Sequence, residues 1–365
     1  MQSLSVKGQS IKLPDFFPDA TKGVIRACSS EDVAAAGING LIVNTYHLLT
    51  QPGHTVLEQA GGIKKYMHWG GTIISDSGGW QIFSLIHRNA RMGSLSKDGV
   101  TFIKETKAGR FKHKLTPEKC IQTQFGIGAD IMICLDYFTP EHPSADDLDL
   151  SVNRTVEWAA RCKAEFDTLC SQKKLTEATR PLLFCVLQGG RDKKAVEKCA
   201  DGLRPLNFDG WGLGGWLFDE AAKLDLDICK HYHDCMEPDK PTYALGVGNP
   251  QAVVDCAHLG FDIFDCVLPT RDARHKRLYV LNVPLAQLDF AAMPNWYSTF
   301  QIDKEKYIRD FSPISPYCDC FTCTHYTRAY LRHLFEIEDT LAYRLATIHN
   351  LRMYAMVMEK LRGEC

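Results

Sequence analysis

The feature that most constrains this chain is a recurrence: short apolar runs, each closed by a polar residue or a glycine, alternate with longer helical patterns. The runs are Gly40–Tyr46, Thr72–Asp76, Asp130–Asp136, Pro181–Gln188, Gly210–Gly215, Thr242–Gly248 and Ile263–Leu268, with Asp15–Asp19 as a weaker first member. Strands that are apolar on both faces belong in parallel sheets covered by helices. About eight strand–helix units in roughly 280 residues predict a TIM (β/α)8 barrel. A doubly wound open sheet is the alternative, but the first strand lacks a glycine-rich phosphate turn.

The helices carry their own signals. The segment ending at Gly37 opens with a serine cap. Thr116-Pro117-Glu118 puts proline at a first helical position, and Leu148–Cys170 is long and amphipathic. Val100–Leu115 alternates instead, which predicts an inserted β-hairpin.

In a barrel the C-terminal strand ends converge on one face, where active sites are built. Asp76, Asp136, Gln188, Gly214-Gly215, Gly246 and Asp265 all stand at such ends. The apolar run from Ile263 carries one acid, Asp265, and is stopped by Pro269, and Arg271 and Arg274 follow in the next loop. Two aspartates on one site suit chemistry at an anomeric carbon, one attacking C1′ while the other manages protons. The arginines, with His275, Lys276 and Arg277, add a local basic run that fits a phosphate-bearing glycoside. Trp80 would cover one face of a planar ligand, and Asp136 and Gln188 would read the edge of a base.

After about Phe311 the pattern changes. Cys318, Cys320 and Cys323 form C-x-C-x-x-C, and His349 follows on an amphipathic helix. Three thiolates and an imidazole satisfy tetrahedral Zn2+, and with no open position the metal would be structural. The expected division is a catalytic barrel over residues 1–310 and a helical zinc-binding subdomain over 311–365, packed on the barrel.

Composition sets limits. The chain has 365 residues, of which 45% are hydrophobic and 24% charged, with a net charge of -2. Any nucleic-acid grip must therefore be a local patch. The 15 cysteines are odd in number and mostly lie singly in apolar runs, as small buried hydrophobes in a reducing compartment do. No segment reads as a secretory signal or a membrane span, so a cytoplasmic location is expected.

Several stretches resemble tRNA-guanine transglycosylases. They are NTYHLLTQPG (Asn44–Gly53), SDSGGWQIFSL (Ser75–Leu85), LQGG (Leu187–Gly190), GLGG (Gly212–Gly215), LGVGNP (Leu245–Pro250), FDCVLPTR (Phe264–Arg271) and C-x-C-x-x-C-(25)-H. The resemblance covers the chain from about Leu13 to its end. It implies exchange of the wobble guanine in a tRNA anticodon loop for a 7-deazaguanine, the queuosine-forming reaction, through a covalent ribosyl-enzyme intermediate. By position, Asp265 matches the nucleophile and Asp76 the general acid/base. Asp136, Gln188 and Gly215 match residues that hold the base, with Leu245 as an apolar wall and Trp80 at the stacking position. Arg271 and Arg274 match readers of the neighbouring uridines; Cys318, Cys320, Cys323 and His349 match structural zinc ligands. The resemblance also implies a dimer, of which a homodimer is the simpler form.

Some positions depart from the family pattern. Tyr137 and Phe138 replace the usual Glu-Cys of bacterial members, and Trp216-Leu217-Phe218 replaces a small or aliphatic run. Glu220 keeps the place of an acid associated with the aminomethyl group of preQ1. Phe218 stands where queuine-using eukaryotic members have glycine, and by volume it favours a small base such as preQ1 over queuine. Two alternatives stay open: base exchange in DNA, and a non-catalytic tRNA-binding subunit.

Overall fold

A computed structural model describes residues 2–88, 92–106, 109–215, 217–218 and 223–363. Its centre is a ring of eight parallel strands: β1 (Asp15–Pro18), β2 (Gly40–Asn44), β3 (Thr72–Asp76), β4 (Ile131–Ile133), β5 (Leu182–Leu187), β6 (Gly210–Leu213), β7 (Thr242–Ala244) and β8 (Ile263–Cys266). Neighbours in sequence are neighbours in space, and β8 returns to pair with β1. The last gap, between β1 and β2, is closed by a parallel bridge from Asp19 to Ile42 and by the Ala20 N–H donating to the Ile42 carbonyl at 2.8 Å. The ring is the expected (β/α)8 barrel. Most strands are shorter than the apolar runs that announce them, because the run also supplies flanking loop residues; Thr72–Asp76 is the same in both.

The barrel interior is filled by Phe17, Ile42, Ile74, Ile131, Ile133, Phe184, Val186, Tyr243 and Ile263. An N-terminal hairpin, Ser3–Val6 against Gln9–Lys12, adds Leu4, Val6 and Ile11 to the same cluster. Its turn is tied to the N-terminal side of β4, where Lys7 Nζ donates to the Ala129 carbonyl at 2.7 Å. The ligand end of the barrel is therefore the C-terminal one.

Three aspartates clamp the opposite rim by one device. Asp130, Asp209 and Asp262 each stand immediately before a strand and accept the N–H of Ile73, Leu183 and Thr242 on a neighbouring strand, at 2.9, 2.8 and 2.9 Å. Strand-end N–H groups that would otherwise be buried without partners are satisfied in this way.

The inserted segment is larger than the expected hairpin. Gly99–Thr106 and Gly109–Leu115 pair antiparallel, and Gly93–Ser96 adds a third strand. Beyond β8, Arg277–Leu281 pairs antiparallel with Tyr297–Gln301. The final helix, Thr340–Leu361, is buried on nearly all sides. Its Leu345, Ala346 and Ile348 join a second hydrophobic cluster with Leu331, Leu334 and Phe335, while Leu351 and Met353–Met358 join the main core. One helix thus ties the cysteine-bearing segment to the barrel.

Candidate active site

At the C-terminal strand ends lies a cavity of about 350 Å³. Asp76, Asp136, Gln188, Gly214, Gly215, Leu245, Gly246 and Asp265 all line it, with Trp80 among them. Strand register brings them together: β2 pairs with β3 so that Asn44 lies opposite Asp76.

Each polar group is held from a second element. Asn44 is buried; its Oδ1 accepts the His47 N–H at 3.2 Å, capping a helix, so its Nδ2 must point the other way and donates to Asp76 Oδ2 at 2.6 Å. Gln188 Oε1 accepts both the N–H and the hydroxyl of Thr139 at 3.1 Å, which fixes the amide so that Nε2 donates to Asp136 Oδ2 at 2.7 Å. Ser77 accepts the Gly79 N–H at 3.2 Å and lies 3.4 Å from Asp136 Oδ1. Asp265 Oδ1 accepts the Tyr243 hydroxyl at 2.6 Å and the Gly246 N–H at 2.8 Å.

Two glycines are required here. A Cβ on Gly214 would stand 2.7 Å from the Gln188 amide nitrogen, and Gly246 takes a φ of +73° to aim its N–H at Asp265.

The carboxyls are electrostatically unusual. Burial pushes Asp76 up to about 7, helped by the Asp136 and Asp265 carboxylates and opposed by a hydrogen bond from Gln81. Burial raises Asp136 to about 6 against the Gln188 hydrogen bond. It also raises Asp265 to about 6, against the Tyr243 and Gly246 donors and with help from Asp19. All three carboxyls are thus raised above the usual range, Asp76 with the added push of its two acidic neighbours, the kind of environment that acid–base chemistry uses.

Trp80, in the Gly79–Arg88 helix, is 47% exposed at the cavity rim. Its ring meets Phe138 edge-on at 6.4 Å, and Phe138, which also lines the cavity, meets Phe83 at 5.3 Å. Phe218 lines the same space. Trp216 and Glu220 lie outside the described residues.

The sequence places Arg271 and Arg274 in a loop after Pro269; the structure puts them instead on a short helix, Leu268–Arg274. Proline is compatible with a first helical turn, where its missing N–H has no partner to lose. Arg274 donates to the Thr270 carbonyl at 2.8 Å, and burial, Arg26 and Arg271 lower its basicity. Arg26, which carries no motif, therefore joins the basic group. Asn44, Gln81 and Tyr243 also escape the sequence reading of the site: asparagine, glutamine and buried aromatics are common in any barrel, and only register makes these face the acids.

The cysteine cluster forms as expected. Ligand atoms of Cys318, Cys320, Cys323 and His349 all lie within 4.8 Å of one another. His349 Nε2 lies 2.7 Å from the Tyr279 carbonyl, which leaves Nδ1 facing Cys323 Sγ at 3.2 Å and Cys320 Sγ at 3.7 Å. A second-sphere partner on the far nitrogen and closely gathered sulfurs fit a four-coordinate metal ion.

Comparison with known proteins agrees with this geometry. The model of the family described as Queuine tRNA-ribosyltransferase matches residues 1–364. The chain belongs to that family. A protein of Staphylococcus epidermidis named Queuine tRNA-ribosyltransferase is 37% identical over 356 residues, 97% of this chain and 85% of its own length. Proteins of the same name from Caldanaerobacter subterraneus and Thermoanaerobacter pseudethanolicus are each 36% identical over 352 residues, 96% of this chain and 86% of theirs. Among the described residues, no helix is long and apolar enough to cross a membrane.

Proposed function

We propose that this chain is a tRNA-guanine transglycosylase that replaces the wobble guanine of an anticodon loop with a 7-deazaguanine. The observation that carries the reading is the single cavity shared by Asp76, Asp265 and the Asp136–Gln188 pair. Asp265 is the nucleophile: its carboxylate attacks C1′ as the glycosidic bond breaks and forms a covalent ribosyl ester. Asp76, with a pKa near 7, gives a proton to the leaving guanine and takes one from the incoming base. Resolution by a base rather than water requires a dry site, which the lining by Val186, Leu245 and Phe138 favours.

Guanine specificity follows from hydrogen-bond polarity. Asp136 accepts from the N1 and N2 donors of the base, and the remaining Gln188 N–H donates to O6. Trp80 stacks on one face of the flipped base, a contact worth about 1–3 kcal/mol, and Leu245 forms an apolar wall. Arg271 and Arg274 read the bases beside the target. The Phe218 ring in the cavity favours a small incoming base over one with a large substituent. The cysteine–histidine cluster holds zinc in a structural role.

Exchange of labelled guanine into an anticodon stem-loop tests the reading, with a DNA copy as competitor and guanine, preQ0, preQ1 and queuine as incoming bases. Transfer to RNA alone that is abolished in Asp265→Ala and Asp76→Asn is expected. No exchange, or exchange that survives Asp265→Ala, overturns it. Equal use of queuine and preQ1 overturns the small-base assignment alone.

A further inference from the structure

The two hydrogen bonds on Asp265 are asymmetric in a way the exchange reaction can use. Both the Tyr243 hydroxyl and the Gly246 N–H fall on Oδ1, and among the described residues no protein donor reaches Oδ2. Tyr243 is fully buried in the barrel interior, so its hydroxyl has no solvent to turn to. Burial and the adjacent Asp265 carboxylate push the phenol well above its ordinary value, so it stays a donor. The phenol is placed by β7, which pairs with β8 so that Tyr243 lies opposite Ile263, two residues before the nucleophile.

We propose that Tyr243 is a positioning residue that reserves Oδ2 for attack and stabilises the carboxylate as leaving group in the second half of the exchange. This rests on Asp265 being the nucleophile, as in the reading above. In the first step an Oδ2 lone pair forms the bond to C1′, the C1′–N9 bond breaks, and its electron pair leaves with guanine, which takes a proton from Asp76. Oδ1 then becomes the carbonyl oxygen of the ester. In the second step N9 of the incoming base loses its proton to Asp76 and attacks C1′. The C1′–Oδ2 bond breaks and its electron pair returns to the carboxylate, where negative charge grows on Oδ1 against the Tyr243 and Gly246 donors. Donation to a carboxylate weakens it as a nucleophile and improves it as a leaving group. The residue therefore favours the second step at some expense to the first.

The two half-reactions separate on a denaturing gel. Enzyme mixed with a labelled anticodon stem-loop gives the covalent adduct, and addition of excess base chases it. Tyr243→Phe removes only the hydroxyl. Loss of a hydrogen bond to a charged group predicts a chase roughly ten- to a hundredfold slower, with adduct formation undiminished and a larger steady-state adduct fraction. The KM for the stem-loop should stay within about twofold if phosphate and base contacts are untouched. The acid limb of the exchange pH profile should also move to higher pH, since Asp265 loses a donor that holds its pKa down while Asp19, Asp76 and Asp136 remain beside it.

Site-specific 3-fluorotyrosine at position 243 supplies a second variant that keeps shape and hydroxyl. Its more acidic phenol should speed the chase relative to wild type. Equal chase rates in wild type and a folded Tyr243→Phe, or a parallel fall in both half-reactions, overturn the proposal. So does a fluorotyrosine enzyme that chases no faster, which decides the matter if Tyr243→Phe does not fold. If wild type forms no adduct, it is the nucleophile assignment itself that fails.

Discussion

Asp76→Asn should abolish exchange and yet make the protein harder to unfold at neutral and alkaline pH. An aspartate with an ordinary value of 3.8 that is raised to about 7 in the folded state binds its proton more tightly folded than unfolded. Below pH 3.8 the group is protonated in both states and costs nothing. The cost grows as pH rises toward 7 and is constant above it. Taken at face value, the two values give about 2 kcal/mol at pH 5 and about 4 kcal/mol at pH 8. Asp76 is only half-buried and lines a cavity open to solvent, so screening lowers the expected difference between the two pH values to about 1–2 kcal/mol. Asparagine is neutral and keeps an oxygen for the Asn44 amide, so the variant should escape this cost without opening a void. The assay compares unfolding midpoints of wild type and variant at pH 5, 6.5 and 8 at one ionic strength. A gap in favour of the variant that widens with pH is expected. A gap that is flat or narrows with pH refutes the electrostatic account of the site.

The rate of exchange should itself be bell-shaped in pH, rising near 6 as Asp265 and Asp136 ionise and falling near 7 as Asp76 loses its proton. The apparent values belong to the coupled group of acids, and a flat profile from pH 5.5 to 8 contradicts the assignment. Gln188→Leu strands the Thr139 N–H and removes the amide donor on Asp136 Oδ2, so exchange should fall by about ten- to a hundredfold. The loss should appear as weaker base binding in a guanine titration, and an unchanged guanine KM counts against a base-reading role. Chelation, or Cys320→Ser, should lower the unfolding midpoint, with zinc restoring the chelated wild type alone. Elemental analysis should find about one zinc per chain, and a metal-free protein of undiminished stability would dispose of the site.

Much of this was legible without coordinates. Apolar runs such as Thr72–Asp76 and Ile263–Leu268 are local records of strands buried on both faces, and the acids they carry, Asp76 and Asp265, mark one rim. The cysteine spacing is equally local: Cys320 caps the Phe321–His325 helix that carries Cys323, so three of the four cluster residues come from one short stretch. Other features lie beyond any local pattern. Asp130 reads as part of a strand, yet its carboxylate belongs to the neighbouring strand's N–H. The helix that carries Arg271 and Arg274 is short and starts through a proline, so its signal is weaker than the stop that Pro269 signals.

The sequence by itself determined the architecture, the acids of the cavity and the cysteine–histidine cluster, because each depends largely on residues near one another in the chain or on a strand's own end. Tertiary structure alone decided how those residues are tuned. Asn44 meets Asp76 across 32 positions, Gln188 meets Asp136 across 52, and Tyr243 meets Asp265 across 22. Such partners are set by strand register around a closed ring, and the burial and hydrogen bonds that shift a carboxyl's pKa exist only once the ring has closed.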